Sequence, residues 1–132
     1  MDEKLFTLHI NCFAMHEVKC NGVIYRQILF DGEAKGALFN GKILPGGVDT
    51  QIIKEDGTGT LSARYMLEGV DLSGNECRVY IDNSGVLGSD STKPLVYSDS
   101  KEFDVLKEKE LKGKMVTDEE GFKIIIYMER MG

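Results

Sequence analysis

Asp49, Arg64, Tyr65, Tyr80 and Asp82 are the residues with which this chain could hold or transform a small molecule. All five fall in strand-like runs in the middle of the sequence. An arginine and a carboxylate that meet across neighbouring strands form a bidentate pair. Such a pair either fixes the register of a sheet or lines a cavity that recognises an anion or a carbonyl. The expected tie is between Arg64 and Asp49. Alternation works partly against a shared cavity. Leu61, Ala63, Tyr65 and Leu67 form the more apolar face and point inward, which sends Arg64 outward. Tyr65 and Arg64 line one cavity only if a bulge intervenes.

Other reactive residue types form no recognisable constellation. His9 and His16 lie seven apart on one extended stretch and face opposite sides of a regular strand. His16-Glu17 reads as a surface pair. No Gly-x-Ser-x-Gly turn presents a nucleophile. Gly41-x-x-x-x-Gly46-Gly47 lacks the Lys-Ser/Thr ending and following helix of a phosphate loop. Cys12, Cys20 and Cys77 are odd in number and match no zinc or redox spacing. They are expected to be reduced and mostly buried, in a cytoplasmic protein. The sequence calls for no metal and no cofactor, and the identity of any catalytic residue stays open.

The elements that must position these residues are strands. Lys4 to Asn11 reads as a strand with both faces at least half buried, and Phe13 to Val18 continues it through a bulge. Asn21-Gly22 is a strong hairpin signal. Asp31-Gly32 and Asn40-Gly41 read as further turns. Leu44-Pro45-Gly46-Gly47 reads as a sharp, specified turn between two strands, because Pro45 fixes φ and the glycines accept unusual angles. Val48 to Glu55, Thr58 to Glu68 and Cys77 to Asn83 follow, separated by Asp56-Gly57 and Ser73-Gly74-Asn75. A short strand over Pro94 to Ser98 and a short helical turn within Lys101 to Lys112 come next. The β-branched run Ile124-Ile125-Ile126 anchors the last strand, Phe122 to Met128. Residues 1–132 are expected to form one all-β domain with at most one short helix. A sheet of roughly eight or more antiparallel strands protects its edges by closing. A closed up-and-down barrel is the first expectation and a sandwich the second.

Charge narrows the partners. The net charge of −6 and the absence of a basic stripe argue against nucleic acid. Lys107, Lys109, Lys112 and Lys114 are interleaved with Glu102, Asp104, Glu108 and Glu110. The N-terminus lacks the basic and apolar regions of a signal peptide, and Ile124 to Met128 is too short to span a bilayer as a helix. No membrane partner is expected. Apolar residues on both faces of the first and last strands point to a homodimer.

The stretch Gly41 to Gln51, with Asp56-Gly57, Leu61-Ser62-Ala63-Arg64-Tyr65 and Tyr80-Ile81-Asp82-Asn83-Ser84-Gly85, resembles the signature of domain-of-unknown-function family 3237, also called uncharacterised protein family 0311. Its order and spacing match over the middle half of the chain. Thr50 stands where the family often has Trp, and Ser62 where it has an acidic residue. The resemblance implies a closed antiparallel barrel similar in outline to lipocalin-like and allene-oxide-cyclase-like barrels, and it brings no established activity. Three functions stay in play: a small-molecule-binding barrel; a cofactor-independent isomerase, cyclase or lyase using Tyr and carboxylate groups in the same cavity; and an interaction domain.

Overall fold

The computed structural model describes residues 3–107 and 109–128. Nine strands account for most of them: β1 Glu3–Cys20, β2 Val23–Lys35, β3 Phe39–Ile43, β4 Val48–Ile53, β5 Gly59–Asp71, β6 Glu76–Val86, β7 Ser91–Ser98, β8 Leu111–Asp118 and β9 Gly121–Met128. The helical element is one 3-10 segment, Lys101–Leu106. All pairings are antiparallel, and the order β1-β9-β8-β7-β6-β5-β4-β2 returns to β1. The ring is therefore closed through eight strands, as the recurrence of turn signals and near-two periodicity require.

Short strands β3 and β4 share one slot in this ring. Both lie between β2 and β5, β3 against Glu33–Ala34 and β4 against Ile24–Leu29. Leu44 to Gly47 is thus a break within a strand line and not a chain reversal. On the β5 side Ile43 pairs with Leu67 and Val48 with Arg64, so Tyr65 and Met66 oppose the four residues Leu44 to Gly47. Two extra residues bulge out there.

Two other expected turns are also continuous strand. Asp31-Gly32 lies inside β2, where Gly32 has φ 146° and any Cβ would stand 1.9 Å from the His9 carbonyl oxygen. Asn40-Gly41 lies inside β3, and the Asn40 side chain instead closes the preceding loop by donating to the Gly36 carbonyl at 2.9 Å. Asn21-Gly22 is the hairpin that the dipeptide signals, with φ 51° and 81°. Strand β7 begins three residues earlier than Pro94, and β6 runs past Ser84-Gly85 to Val86.

The bulge in β1 falls between Cys12 and Ala14. It shifts the alternation by one, so His9 and His16 come to the same, outer face. They remain on the order of 20 Å apart along the strand. No group of three or more metal-ligating side chains forms among the described residues. No helix among them is long and apolar enough to cross a membrane. The three thiols are free, but only Cys77 is buried; Cys12 and Cys20 are exposed. They sit on the part of β1 that has left β9, beyond Ile10, where that strand pairs only with β2.

One end of the barrel is packed with rings. Phe6, Phe39 and Phe103 meet edge to face at 6.3 and 6.1 Å. Phe103 and Leu106 bring the 3-10 segment into this core. Ser100 caps the segment by accepting from the Glu102 amide at 3.2 Å, and its hydroxyl donates to Asp71 Oδ2 at 2.6 Å. Asp71 Oδ1 also accepts from the Ser73 and Asn75 amides. The Ser100 bond, ahead of these turn amides, holds the Asp71 carboxyl below the ordinary range.

Candidate functional site

Register assigns each candidate residue to a face. Asp49 pairs with Ala63, and Ala63 pairs with Asn83. Ala63 and Asn83 are buried, so this row faces the interior and carries Asp49 with it. Tyr65 lies two residues along β5 on the same face, its ring edge-on to Phe30 at 5.2 Å. Arg64, Tyr80 and Asp82 lie on the outer face. Arg64 Nε approaches Asp82 Oδ2 at 3.6 Å, and Tyr80 stacks on Tyr97 at 6.4 Å. The expected Arg64–Asp49 tie is therefore absent. The β4–β5 register sets Asp49 opposite Ala63 and Arg64 opposite Val48, which puts the carboxylate and the guanidinium on opposite faces.

The partner of Asp49 is Gln51, two residues on along the same face. Gln51 Nε2 donates to Asp49 Oδ2 at 3.0 Å. Arg26 Nη1 lies 3.5 Å from Gln51 Oε1, and Arg26 Nε donates to Glu17 Oε2 at 2.8 Å. Arg26 thereby fixes which way the Gln51 amide points, with its NH2 toward Asp49. The chain Glu17–Arg26–Gln51–Asp49 runs along the inner face, from the part of β1 paired only with β2 to the middle of the barrel. Burial pushes the Asp49 carboxyl above its ordinary range, against the lowering effect of its bonds to Gln51 and the Ser62 backbone. Burial and then the charge of Asp49 push the Cys12 thiol up.

Five inner atoms find no partner among the described residues: Asp49 Oδ1, the Tyr65 hydroxyl, both side-chain atoms of Asn83 and Thr92 Oγ1. Asn83 is 0% exposed and Thr92 3%. Burial also drives the Tyr65 phenol far above its ordinary range, so it remains a donor. Gly113 makes room for two of these residues: a Cβ there would lie 2.3 Å from Thr92 Oγ1 and 3.5 Å from Asn83 Nδ2. Buried polar groups are nearly always bonded, and an unmet one costs about 1–3 kcal/mol. Such a row on one wall is consequently unusual.

Thr92 also lies on a cleft of about 1450 Å³. The cleft follows the seam between β7 and β8, where only Ser91–Lys114 and Thr92–Gly113 are paired. Its apolar wall is Pro94, Val96, Phe103, Leu106 and Leu111. Asp49, Tyr65 and Asn83 do not line it; Thr92 connects the cleft to the inner polar wall. Of these groups, alternation alone identified Tyr65 as inward. Arg26 and Thr92 carried no signal, because their roles depend on which strands become neighbours.

A closed ring of eight antiparallel strands defines a β-barrel. The chain belongs to the family described as "Protein of unknown function (DUF3237)", whose profile matches residues 3–117. A UPF0311 protein of Clostridium acetobutylicum is 43% identical over 58 residues, 44% of this chain and 34% of that relative. The matched stretch thus spans about a third of the relative's length. A β-barrel-like protein of Acinetobacter baumannii superimposes with TM-score 0.79 at 18% identity, over 97% of this chain and 94% of the other. An enzyme of Penicillium herquei does so with TM-score 0.79 at 16% identity, over 97% and 92%. These likenesses establish the fold.

Proposed function

We propose that the protein binds a small molecule at the β7–β8 seam, with the ligand's polar end reaching the Thr92–Asn83 wall. The observation that carries this reading is the set of unpartnered polar atoms beside Gly113, at the inner end of an apolar cleft. Clefts lined by apolar side chains with a few convergent polar groups are the usual form of ligand sites. The seam has the fewest ladder pairs of any joint in the ring, two residue pairs and the Met115 amide on the Asp90 carbonyl, so it can part to expose the covered atoms. Titration with the neutral dye N-phenyl-1-naphthylamine tests the reading. Saturable fluorescence enhancement, one dye per chain, is expected, together with a shift of the Asn83 side-chain amide resonance. Val96→Trp, which fills the cleft, should abolish both. Absence of saturable binding, or binding indifferent to Val96→Trp, overturns the proposal.

One observation favours a second reading, an isomerase, cyclase or lyase acting at the same inner wall. Asp49 is anchored through Oδ2 and leaves Oδ1 unbonded, next along the wall from the Tyr65 donor. A carboxyl raised by burial suits proton transfer. The enzyme of Penicillium herquei shares only the fold at 16% identity and lends no reaction to this chain. A catalytic role requires Asp49→Asn to remove turnover while leaving ligand affinity in place; parallel loss of both would point to binding alone.

A further inference from the structure

We infer that the seam site, if the binding reading above holds, takes an anionic amphiphile, with its carboxylate between Lys93 and Lys112 and its apolar tail along the cleft. The register carries the argument. Ser91 pairs with Lys114 and Thr92 with Gly113, and there the ladder stops. The next two positions in the same register are Lys93 on β7 and Lys112 on β8. Two lysines facing each other across neighbouring strands repel. Both line the cleft. Neither has an acidic partner among the described residues, whereas Lys107 is paired with Asp104 at 3.3 Å and Lys123 with Asp118 and Glu120. One step further along the same register come Pro94 and Leu111, which do not pair, and Pro94 has no amide hydrogen. The seam therefore parts at a pair of uncompensated cations and widens onto Pro94, Val96, Phe103, Leu106 and Leu111. In a chain of net charge −6, the cleft carries Lys93, Lys107, Lys109 and Lys112 against Asp104 and Glu110, and Asp104 is already paired with Lys107, so a local excess of positive charge stands beside the apolar slot.

An anion between the two ammonium groups replaces a repulsion with two attractions. A neutral ligand gains nothing there, and a cationic one adds to the repulsion. The tail then lies against the apolar wall, where its methylenes leave water. Thr92, adjacent to Lys93 but facing inward, offers its hydroxyl at the same level of the seam.

The test is calorimetric titration of the full chain at low ionic strength with decanoate, decanol and decyltrimethylammonium. Decanoate is expected to bind at least tenfold tighter than decanol, with decyltrimethylammonium weakest, and added salt should erode the preference. In Lys93→Gln/Lys112→Gln the decanoate preference should disappear while decanol binding is retained. The same variant should unfold at a higher urea concentration, because the opposed charges are gone. Equal binding of decanoate and decanol by the unaltered protein overturns the anion inference and leaves the cleft reading standing. A decanoate preference that survives in the double variant places the anion elsewhere and overturns it too. Failure of all three to bind overturns the cleft reading itself.

Discussion

Arg64 and Asp82 face each other across β5 and β6 on the outer wall, Nε to Oδ2 at 3.6 Å, with 63% of the Arg64 side chain exposed. A pair this open contributes at most about 1 kcal/mol. Arg64→Met should therefore change the urea midpoint only slightly. Asp49 is on the other face of the same wall. In a double-mutant cycle, Arg64→Met and Asp49→Asn should add to within about 0.5 kcal/mol. Coupling well above that would require contact through the sheet, which the register does not allow.

The elevated Asp49 carboxyl gives a stability slope of known sign. Its folded-state pKa lies above the unfolded value because of burial. Below the ordinary carboxylate range both states hold the proton and nothing is lost. As pH rises through the interval up to the raised value, the unfolded state releases its proton first and stability falls. Asp49→Asn removes this loss. The variant's stability relative to the unaltered protein should grow across that interval and then level off. Urea unfolding from about pH 3 to about pH 8 checks this, and a difference constant over the range would contradict it.

Asp71 has the opposite slope. Its carboxyl is held low, first by the Ser100 hydroxyl and then by turn amides. The stabilisation is complete above the unfolded-state value and is lost as pH falls through the depressed one. Ser100→Ala should shrink this acid-side loss. It also removes the cap of the 3-10 segment, a cost of about 0.5–2 kcal/mol, readable at neutral pH. Amide exchange should quicken in Glu102 and Phe103 before it does in β6.

The free half of β1 is expected to meet a second copy. Phe13, Met15 and Val18 are 60%, 55% and 61% exposed, on a stretch that pairs only with β2. Unprotected strand edges tend to pair. Sedimentation equilibrium should give twice 14.7 kDa, and Lys19→Pro, which removes an edge donor because Lys19 and Ile24 form a non-hydrogen-bonded pair of the hairpin, should give the monomer. A monomer at every concentration would rule this association out.

How far the sequence reaches can be judged at particular residues. The inward face of β5 follows from Leu61, Ala63, Tyr65 and Leu67 alone, because period-two alternation is a local property. The bulge in β1 was legible as two strand-like stretches with an irregular join. Closure followed from the number of strands and the need to protect edges. Asp49 was misplaced relative to Arg64 because the β4–β5 register, which sets Asp49 opposite Ala63 and Val48 opposite Arg64, emerges only when the strands pair. Gly32 resembled a turn because close backbone approach and chain reversal both select glycine. The Arg26–Gln51–Asp49 chain and the Lys93–Lys112 opposition join residues far apart in sequence. Neither is visible until the ring is closed.

The inner wall yields the last prediction. Tyr65 is 3% exposed and its ring contact with Phe30 does not involve the hydroxyl. That hydroxyl has no partner among the described residues. A buried unmet hydroxyl costs about 1–3 kcal/mol, and Phe keeps the ring and its packing. Tyr65→Phe should therefore raise the stability of the ligand-free protein by roughly 1 kcal/mol, a shift of about 3–5 °C in Tm for a chain of this size. The trade is functional: groups retained at a stability cost are those that a ligand or a reaction uses. The same variant should lose affinity or turnover for whatever occupies the wall. A Tyr65→Phe protein that is less stable by 1 kcal/mol or more would show the hydroxyl already satisfied, and the wall would then be a hydrated structural network.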